Sequence, residues 1–302
     1  MTRTVLTDWT ADKAQRFGKA VLEFQHTLAE EPLFNDEGLA RLLHTYPRDK
    51  LGVFTMGDDS QDVKSWRRGS AGSLSGDRLL AEAQAGRVWV NLRHANAHDT
   101  ECDRLCQAMF ADVEAGSGQK TFKQDFGVLI SSPNIQVLYH FDVPLVMLWQ
   151  MRGEKTVRAW QPKPPFVDNI LFESVVLKEQ EEEIPFNPDW DQDAATVTLT
   201  PGKMLTWPQN GPHRITNGPM MNVSVSTEFM TPTALWRANV LYANGVLRRR
   251  HGLKPDIDAR NLPLEALKVA YARLVKATGG WKGKEYDTTP TFDLEKPDSK
   301  VA

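Results

Sequence analysis

The 302-residue sequence predicts a mainly β protein with helical additions, built around a jelly-roll core. Three observations carry that expectation. From about Phe122 to Phe229 the chain reads as short strands broken by Pro, Gly and Asn turns. Ahead of this region, helical periodicity alternates with strand-like runs, and behind it lie two amphipathic helices.

Taken in order, Thr10 can cap a first helix in which Phe17, Val21, Phe24 and Leu28 recur at four- and three-residue steps until Pro32 stops it. A second helix is expected over residues 37–44 and a strand over residues 51–55. The Gly/Ser-rich stretch 68–76 reads as a loop, after which Ser75 or Asp77 starts a helix through Leu79, Leu80 and Ala83. Residues 88–92 alternate as a strand, and 99–113 are helical. Inside the strand-rich region, the acidic run from Lys178 to Glu183, continuing to Asp193, reads as a solvated insertion. Thr233 caps the first C-terminal helix and Pro263 opens the second, which Gly279 ends. The divisions are therefore residues 1–120, flanking additions; 121–230, the jelly-roll; 231–281, a helix pair; and 282–302, a polar tail expected to lack order.

Composition narrows the class. A net charge of −3 gives no drive toward nucleic acid, and no apolar run is long enough to span a membrane, so a cytoplasmic protein is expected. The basic cluster Arg248-Arg-Arg-His251 reads as a helix C-terminus favoured by its dipole. The cysteines, Cys102 and Cys106, follow His94 and His98 at four-residue steps. Four ligands along one helix do not readily surround one ion, so helix packing is the expected role.

The residues that carry chemistry lie in Gln136-Val-Leu-Tyr-His-Phe-Asp-Val-Pro144. Alternate strand residues point to one face, so His140 and Asp142 aim an imidazole and a carboxylate at one point. A later histidine, His213 in Pro208-Gln-Asn-Gly-Pro-His213, completes a two-histidine, one-carboxylate set. A hairpin turn at Arg152-Gly153-Glu154 returns Lys155 toward the same barrel.

These motifs resemble the JmjC-type, cupin-like Fe(II)/2-oxoglutarate oxygenases, in particular hydroxylases similar to factor inhibiting HIF and the bacterial ribosomal-protein hydroxylases. The similarity rests on His140-x-Asp142, on Gln150-Met-Arg-Gly153 ahead of Lys155, and on Pro201-Gly-Lys-Met-Leu-Thr-Trp-Pro208 ahead of His213. It covers about the central third of the chain and implies a double-stranded β-helix fold. It further implies that His140, Asp142 and His213 ligate Fe(II), that Lys155 pairs with the distal carboxylate of 2-oxoglutarate, and that dioxygen is the oxidant. A homodimer through the C-terminal helices is implied likewise. Two positions depart from the family pattern: Val137 stands where a hydroxyl is frequent, and Lys203 replaces the Asp of the Pro-Gly-Asp turn. Ser224 or Ser226, on the polar face of the strand after His213, can supply the missing hydroxyl. The sequence leaves open the prime substrate, a protein side chain or a small molecule. It also leaves open two competing readings, a cupin-like binding or regulatory protein without turnover and a different metal enzyme on the same barrel.

Overall fold

A computed structural model describes residues 4–55, 62, 65–86, 88–255, 261–285 and 289–296. Its centre is two facing antiparallel sheets. The strands are β1 (Leu22–Gln25), β2 (Leu51–Thr55), β3 (Arg67–Ser70), β4 (Trp89–Leu92), β5 (Phe122–Ser131), β6 (Gln136–His140) and β7 (Leu145–Arg152), followed by β8 (Lys155–Ala159), β9 (Ala195–Leu199), β10 (Lys203–Thr206), β11 (His213–Asn217), β12 (Asn222–Met230) and β13 (Phe292–Asp293). Among the described residues the larger sheet runs β1-β10-β7-β12-β5-β4-β2-β3-β13, and the smaller β6-β11-β8-β9. The sheets enclose a layer containing Val146, Leu148, Val157, Leu199, Leu205 and Ile215, which is the interior of the jelly-roll.

The other face of the large sheet carries a second and larger core, formed with α2 (Asp36–Thr45), α3 (Gly76–Ala85) and α4 (Thr100–Ser117). Strand alternation separates the two layers: in β12, Val223 and Val225 enter the large core, whereas Ser226 turns to the barrel interior. Asn35, Ser75 and Asp99 cap these helices by accepting backbone N–H bonds. No helix among the described residues is long and apolar enough to cross a membrane.

The expected first helix is cut short. Helix α1 (Ala11–Arg16) ends ahead of Phe17, Gly18 turns at φ +72°, and residues 22–25 pair with β10 instead. The helical spacing of Phe17, Val21 and Phe24 hid a two-residue period. Leu22 and Phe24 are buried on the sheet while Glu23 and Gln25 face outward, and Phe17 then packs on Phe24 and Phe229 from the turn.

Four other expectations are corrected. Part of the Gly/Ser-rich stretch is strand β3 rather than loop, and the polar tail contributes β13, which pairs parallel with it. Gly69 allows this, because a Cβ there would lie 2.2 Å from the Phe292 ring. Within the strand-rich region, α5 (Asn169–Val176) is a helix capped by Asp168. The C-terminal helices are α6 (Pro232–His251), capped by Thr231 rather than Thr233, and α7 (Leu262–Ala277), capped by Asn261.

Candidate metal centre

His140 is the last residue of β6, His213 is the first of β11, and the two are direct partners in the antiparallel ladder. Asp142 follows His140 past the strand end, while the intervening Phe141 is buried on the opposite side against Phe172. Ligand atoms of His140, Asp142 and His213 all lie within 4.8 Å of one another, the one such group of three among the described residues. The imidazole centroids are 4.1 Å apart, and His213 Nε2 is 3.5 Å from Asp142 Oδ2.

Both histidines turn the same ring nitrogen toward this group. His140 Nδ1 meets the Leu138 carbonyl at 2.7 Å, and His213 Nδ1 meets the Gly211 carbonyl at 3.1 Å. A carbonyl only accepts, so each Nδ1 carries a proton, which makes Nε2 the nitrogen that a neutral imidazole offers to a metal. Burial, reinforced by His140, holds His213 well below the usual histidine range, so it is neutral and ready to coordinate. Burial raises the Asp142 carboxyl, against the opposing pull of His140 and Arg93. A cation placed among these three groups would relieve that cost.

The centre opens into a cavity of about 790 Å³. Its inner wall is apolar, with Leu129, Val137, Val146, Leu148 and Ile215, and Trp207 stacks beside His213 at 4.3 Å between centroids. Val137 thus lines the wall without a hydroxyl, and Ser226 lines it with one. Ser224, two residues along the same strand, instead donates to Gln150 Oε1 at 2.7 Å. Gln150 in turn donates to Asn222 Oδ1 at 2.7 Å, making a buried, hydrogen-bonded polar cluster.

Lys155 lies on the same face of β8 as Val157 and Ala159, both members of the interior layer. In the ladder His213 stands opposite Ala159 and Asn217 opposite Lys155, so the lysine is four residues, about 13 Å of strand, below the metal level. The residue is 4% exposed and, among the described residues, its ammonium has neither hydrogen-bond nor ion-pair partner. Burial lowers it to about 7. A buried lysine with no carboxylate is costly, and an incoming carboxylate would remove that cost.

The acidic run is exposed to water at Glu181 and Glu182, as expected of a solvated insertion, but its backbone is tied to the barrel. Phe141 N donates to the Glu182 carbonyl, and Ile184 N to the Tyr139 carbonyl, so residues 182–184 cover the free edge of β6 beside the ligands. Glu181, Glu182 and Glu183 therefore wall the cavity mouth, facing Phe54, Trp66 and Trp89. Desolvation and the nearby Asp142 and Glu228 push Glu182 up to about 8, although one side of the residue stays open to water. Glu228 is pushed up to about 7 by burial and Asp142, against the pull of Arg93 3.2 Å away.

The arginine cluster is likewise more than a helix terminus favoured by its dipole. Arg248 and Arg249 both bind Glu173, and Arg249 also binds Glu179, which fastens α5 and the start of the acidic run to α6. The His94, His98, Cys102 and Cys106 series does not gather: both thiols are buried in α4, with Cys106 pushed up to about 12, while His94 binds Asp125. Trp149 and Trp160 are fully buried core residues.

Sequence reasoning missed Gln209, Asn210 and Arg237. They lie behind the centre, where Asn210 Nδ2 donates to the Asp142 carbonyl at 3.0 Å. The Asn-Gly pair at 210–211 signals a turn, but not that its amide would reach a ligand's backbone.

No protein-family model and no curated protein matches the chain. Among solved structures it is similar to ycfD of Escherichia coli, at a TM-score of 0.52 and 18% identity, over 91% of this chain and 68% of that one. A further structure of that protein, described as a ribosomal oxygenase, gives 0.48 and 17% over 91% and 67%. Its complex with cobalt and 2-oxoglutarate gives 0.48 and 18% over 90% and 67%. The likeness at TM-score 0.52 establishes the fold, the double-stranded β-helix core that the motifs lead one to expect.

Proposed function

We propose that this chain is an Fe(II)- and 2-oxoglutarate-dependent oxygenase that hydroxylates a protein side chain or a small molecule. One conjunction carries the proposal: a two-histidine, one-carboxylate face with both Nε2 atoms presented, and a buried lysine in the same barrel with no partner among the described residues. A barrel kept only for binding, or for metal chemistry without an acidic co-substrate, has no physical use for a desolvated lysine below the metal.

Bound iron with 2-oxoglutarate and dioxygen supplies the oxidation: one oxygen atom enters a substrate C–H bond, the other enters succinate, and carbon dioxide leaves. The residues of the chain bind, orient and shield. His140, Asp142 and His213 would hold the metal, which would leave room for co-substrate and oxidant. Lys155 takes the distal carboxylate in a charge-assisted bond, strong because water is excluded there. Ser226 supplies the hydroxyl that Val137 lacks, and Ser224 bonds Gln150 in the adjoining polar cluster. Leu129, Val146, Leu148 and Ile215 keep bulk water from the reacting atoms.

Residues 121–230 form the catalytic core in this reading, flanked by residues 1–120. The helix pair within 231–281 joins two copies into a homodimer. Along α7, Leu264, Leu267 and Leu274 are 48%, 68% and 61% exposed on one stripe, which a second copy of the same helix can cover. The two unpaired buried thiols suit the reducing cytoplasm.

The test is anaerobic. Fe(II) and then 2-oxoglutarate are added to metal-free protein, and the visible charge-transfer band of the chelate is recorded. A band that disappears in His140→Ala and weakens in Lys155→Met is expected. Iron binding without any effect of 2-oxoglutarate would sink the assignment.

A further inference from the structure

The turn between β10 and β11, Pro208-Gln-Asn-Gly-Pro212, reaches both sides of the metal centre. Asn210 is buried, 2% exposed, and sits at φ +62°, a left-handed conformation that Asn accepts more readily than most residues. Its Nδ2 donates to the Asp142 carbonyl at 3.0 Å, with the Val143 carbonyl at 3.4 Å. Its Oδ1 accepts from Arg237 Nε of α6 at 3.0 Å. Gln209 adds a parallel tie, from its Nε2 to the Val143 and Ala234 carbonyls at 3.0 and 3.1 Å. The next residue, Gly211, provides the carbonyl that fixes His213 Nδ1.

The position of Asp142 gives these contacts their meaning. Ladder pairing between β6 and β11 stops at His140 opposite His213, so Asp142 lies past the last rung and strand pairing does not fix its main chain. The Asn210 amide takes over that task. Adjacent turn residues thus hold two ligands from two strands, Gly211 setting the imidazole and Asn210 setting the backbone from which the carboxylate departs. Arg237 anchors the arrangement to a long helix, and its guanidinium also lies 5.6 Å from the centre of the Phe172 ring of α5.

We infer that Asn210, backed by Arg237, is a positioning residue of the metal centre that sets the Asp142 carboxylate at coordinating distance from His213 Nε2. The inference rests on the reading that His140, Asp142 and His213 hold a metal. Outer-shell partners of this kind alter metal affinity by about 10–100-fold when removed.

The experiment is a titration of full-length, metal-free protein with Co(II), standing for Fe(II), followed by visible d–d absorption. Glycine accepts the left-handed backbone at no cost, so Asn210→Gly keeps the turn and removes only the amide. It should bind Co(II) about 10–100-fold more weakly, with altered band positions and an unchanged circular dichroism spectrum. Asn210→Asp keeps size and backbone tolerance but faces the carbonyl with a carboxylate, and should lose at least as much. Arg237→Gln, distant from the ligands, should weaken binding in the same direction by a smaller factor. Wild-type affinity and spectrum in Asn210→Gly, with binding abolished in His140→Ala, would overturn the positioning role and leave the metal centre standing. Wild-type protein whose Co(II) binding ignores His140→Ala would remove the centre and the inference together. If Asn210→Gly does not fold, Arg237→Gln decides, and wild-type affinity there overturns the inference.

Discussion

His213 Nε2 and Asp142 Oδ2 lie 3.5 Å apart, yet they do not form an ordinary ion pair, because burial keeps the imidazole neutral. The carboxylate therefore gains no cationic partner from His213, and both groups gain when a metal arrives. Fe(II) or Co(II) should raise the unfolding temperature of the metal-free protein, by an amount that grows with metal concentration. His140→Ala and Asp142→Ala should abolish that rise while folding normally. Cys102→Ala, remote from the triad, should keep it. Differential scanning fluorimetry across a metal series measures all three.

Lys155 gives a prediction about pH. It titrates near 7 in the fold against 10.5 in the unfolded chain, through burial alone. Between those values the unfolded chain binds the extra proton, so this group's contribution to stability grows as pH rises from about 7 toward 10.5 and is lost as pH falls back through 7. Lys155→Met removes the titration and keeps the volume. The variant should be more stable than wild type at pH 7, by about 1–3 kcal/mol, and the gap should close toward pH 10.5. Denaturant melts at several pH values read this directly.

The same lysine should make co-substrate binding proton-linked. A carboxylate held by Lys155 favours the ammonium form, so 2-oxoglutarate binding takes up a proton above pH 7 and weakens as pH rises further. Lys155→Met should lower affinity for 2-oxoglutarate by about thirtyfold or more and abolish the proton uptake. Calorimetry in buffers of differing ionisation enthalpy separates the two effects. Equal uptake in wild type and variant would place the distal carboxylate elsewhere.

What could be read from the sequence followed from local rules. The meeting of His140, Asp142 and His213 was legible because strand alternation and a Pro/Gly-bounded turn constrain where such residues point, and the helices expected over 37–44 and 99–113 lie at 36–45 and 100–117, where Asn35 and Asp99 cap them. The misses came from contacts that local rules do not encode. Phe24 fits both the helical spacing with Phe17 and Val21 and the two-residue spacing with Leu22, and only pairing with Lys203–Thr206 decides between them. The acidic run looked like a solvated loop alone because charge density gives no sign that its backbone covers the free edge of β6. Asn210 looked like turn chemistry alone because its partner is a main-chain carbonyl 68 positions away.

The apolar stripe of α7 predicts an oligomer. Leu267 projects from the middle of it at 68% exposure, so a glutamate there costs the monomer little and places charges in the centre of a paired interface. Wild-type protein should run at twice the 34.0 kDa chain mass by light scattering, and Leu267→Glu at the chain mass, with an unchanged melting curve for the metal centre. Wild type at the chain mass at micromolar concentration would dismiss the dimer.

Phe292 ties the C-terminal tail to the edge of the large sheet. Its ring covers Gly69 with the Arg67 guanidinium 5.3 Å from its centre, and Glu295 accepts from Ser73 N and Oγ one turn further along. The edge strand β3 thereby gains a neighbour, and its Arg68, together with Trp66 just before it, lines the cavity mouth. Phe292→Ala removes a buried ring and should cost about 3 kcal/mol. Amide exchange should then speed up in residues 67–70 before it does in β7 or β12, because an edge strand stripped of its outer partner opens without unfolding the barrel. Metal affinity should not change, since none of the three ligands touches this edge. Uniform acceleration across the sheet would mean instead that the strap supports the whole fold.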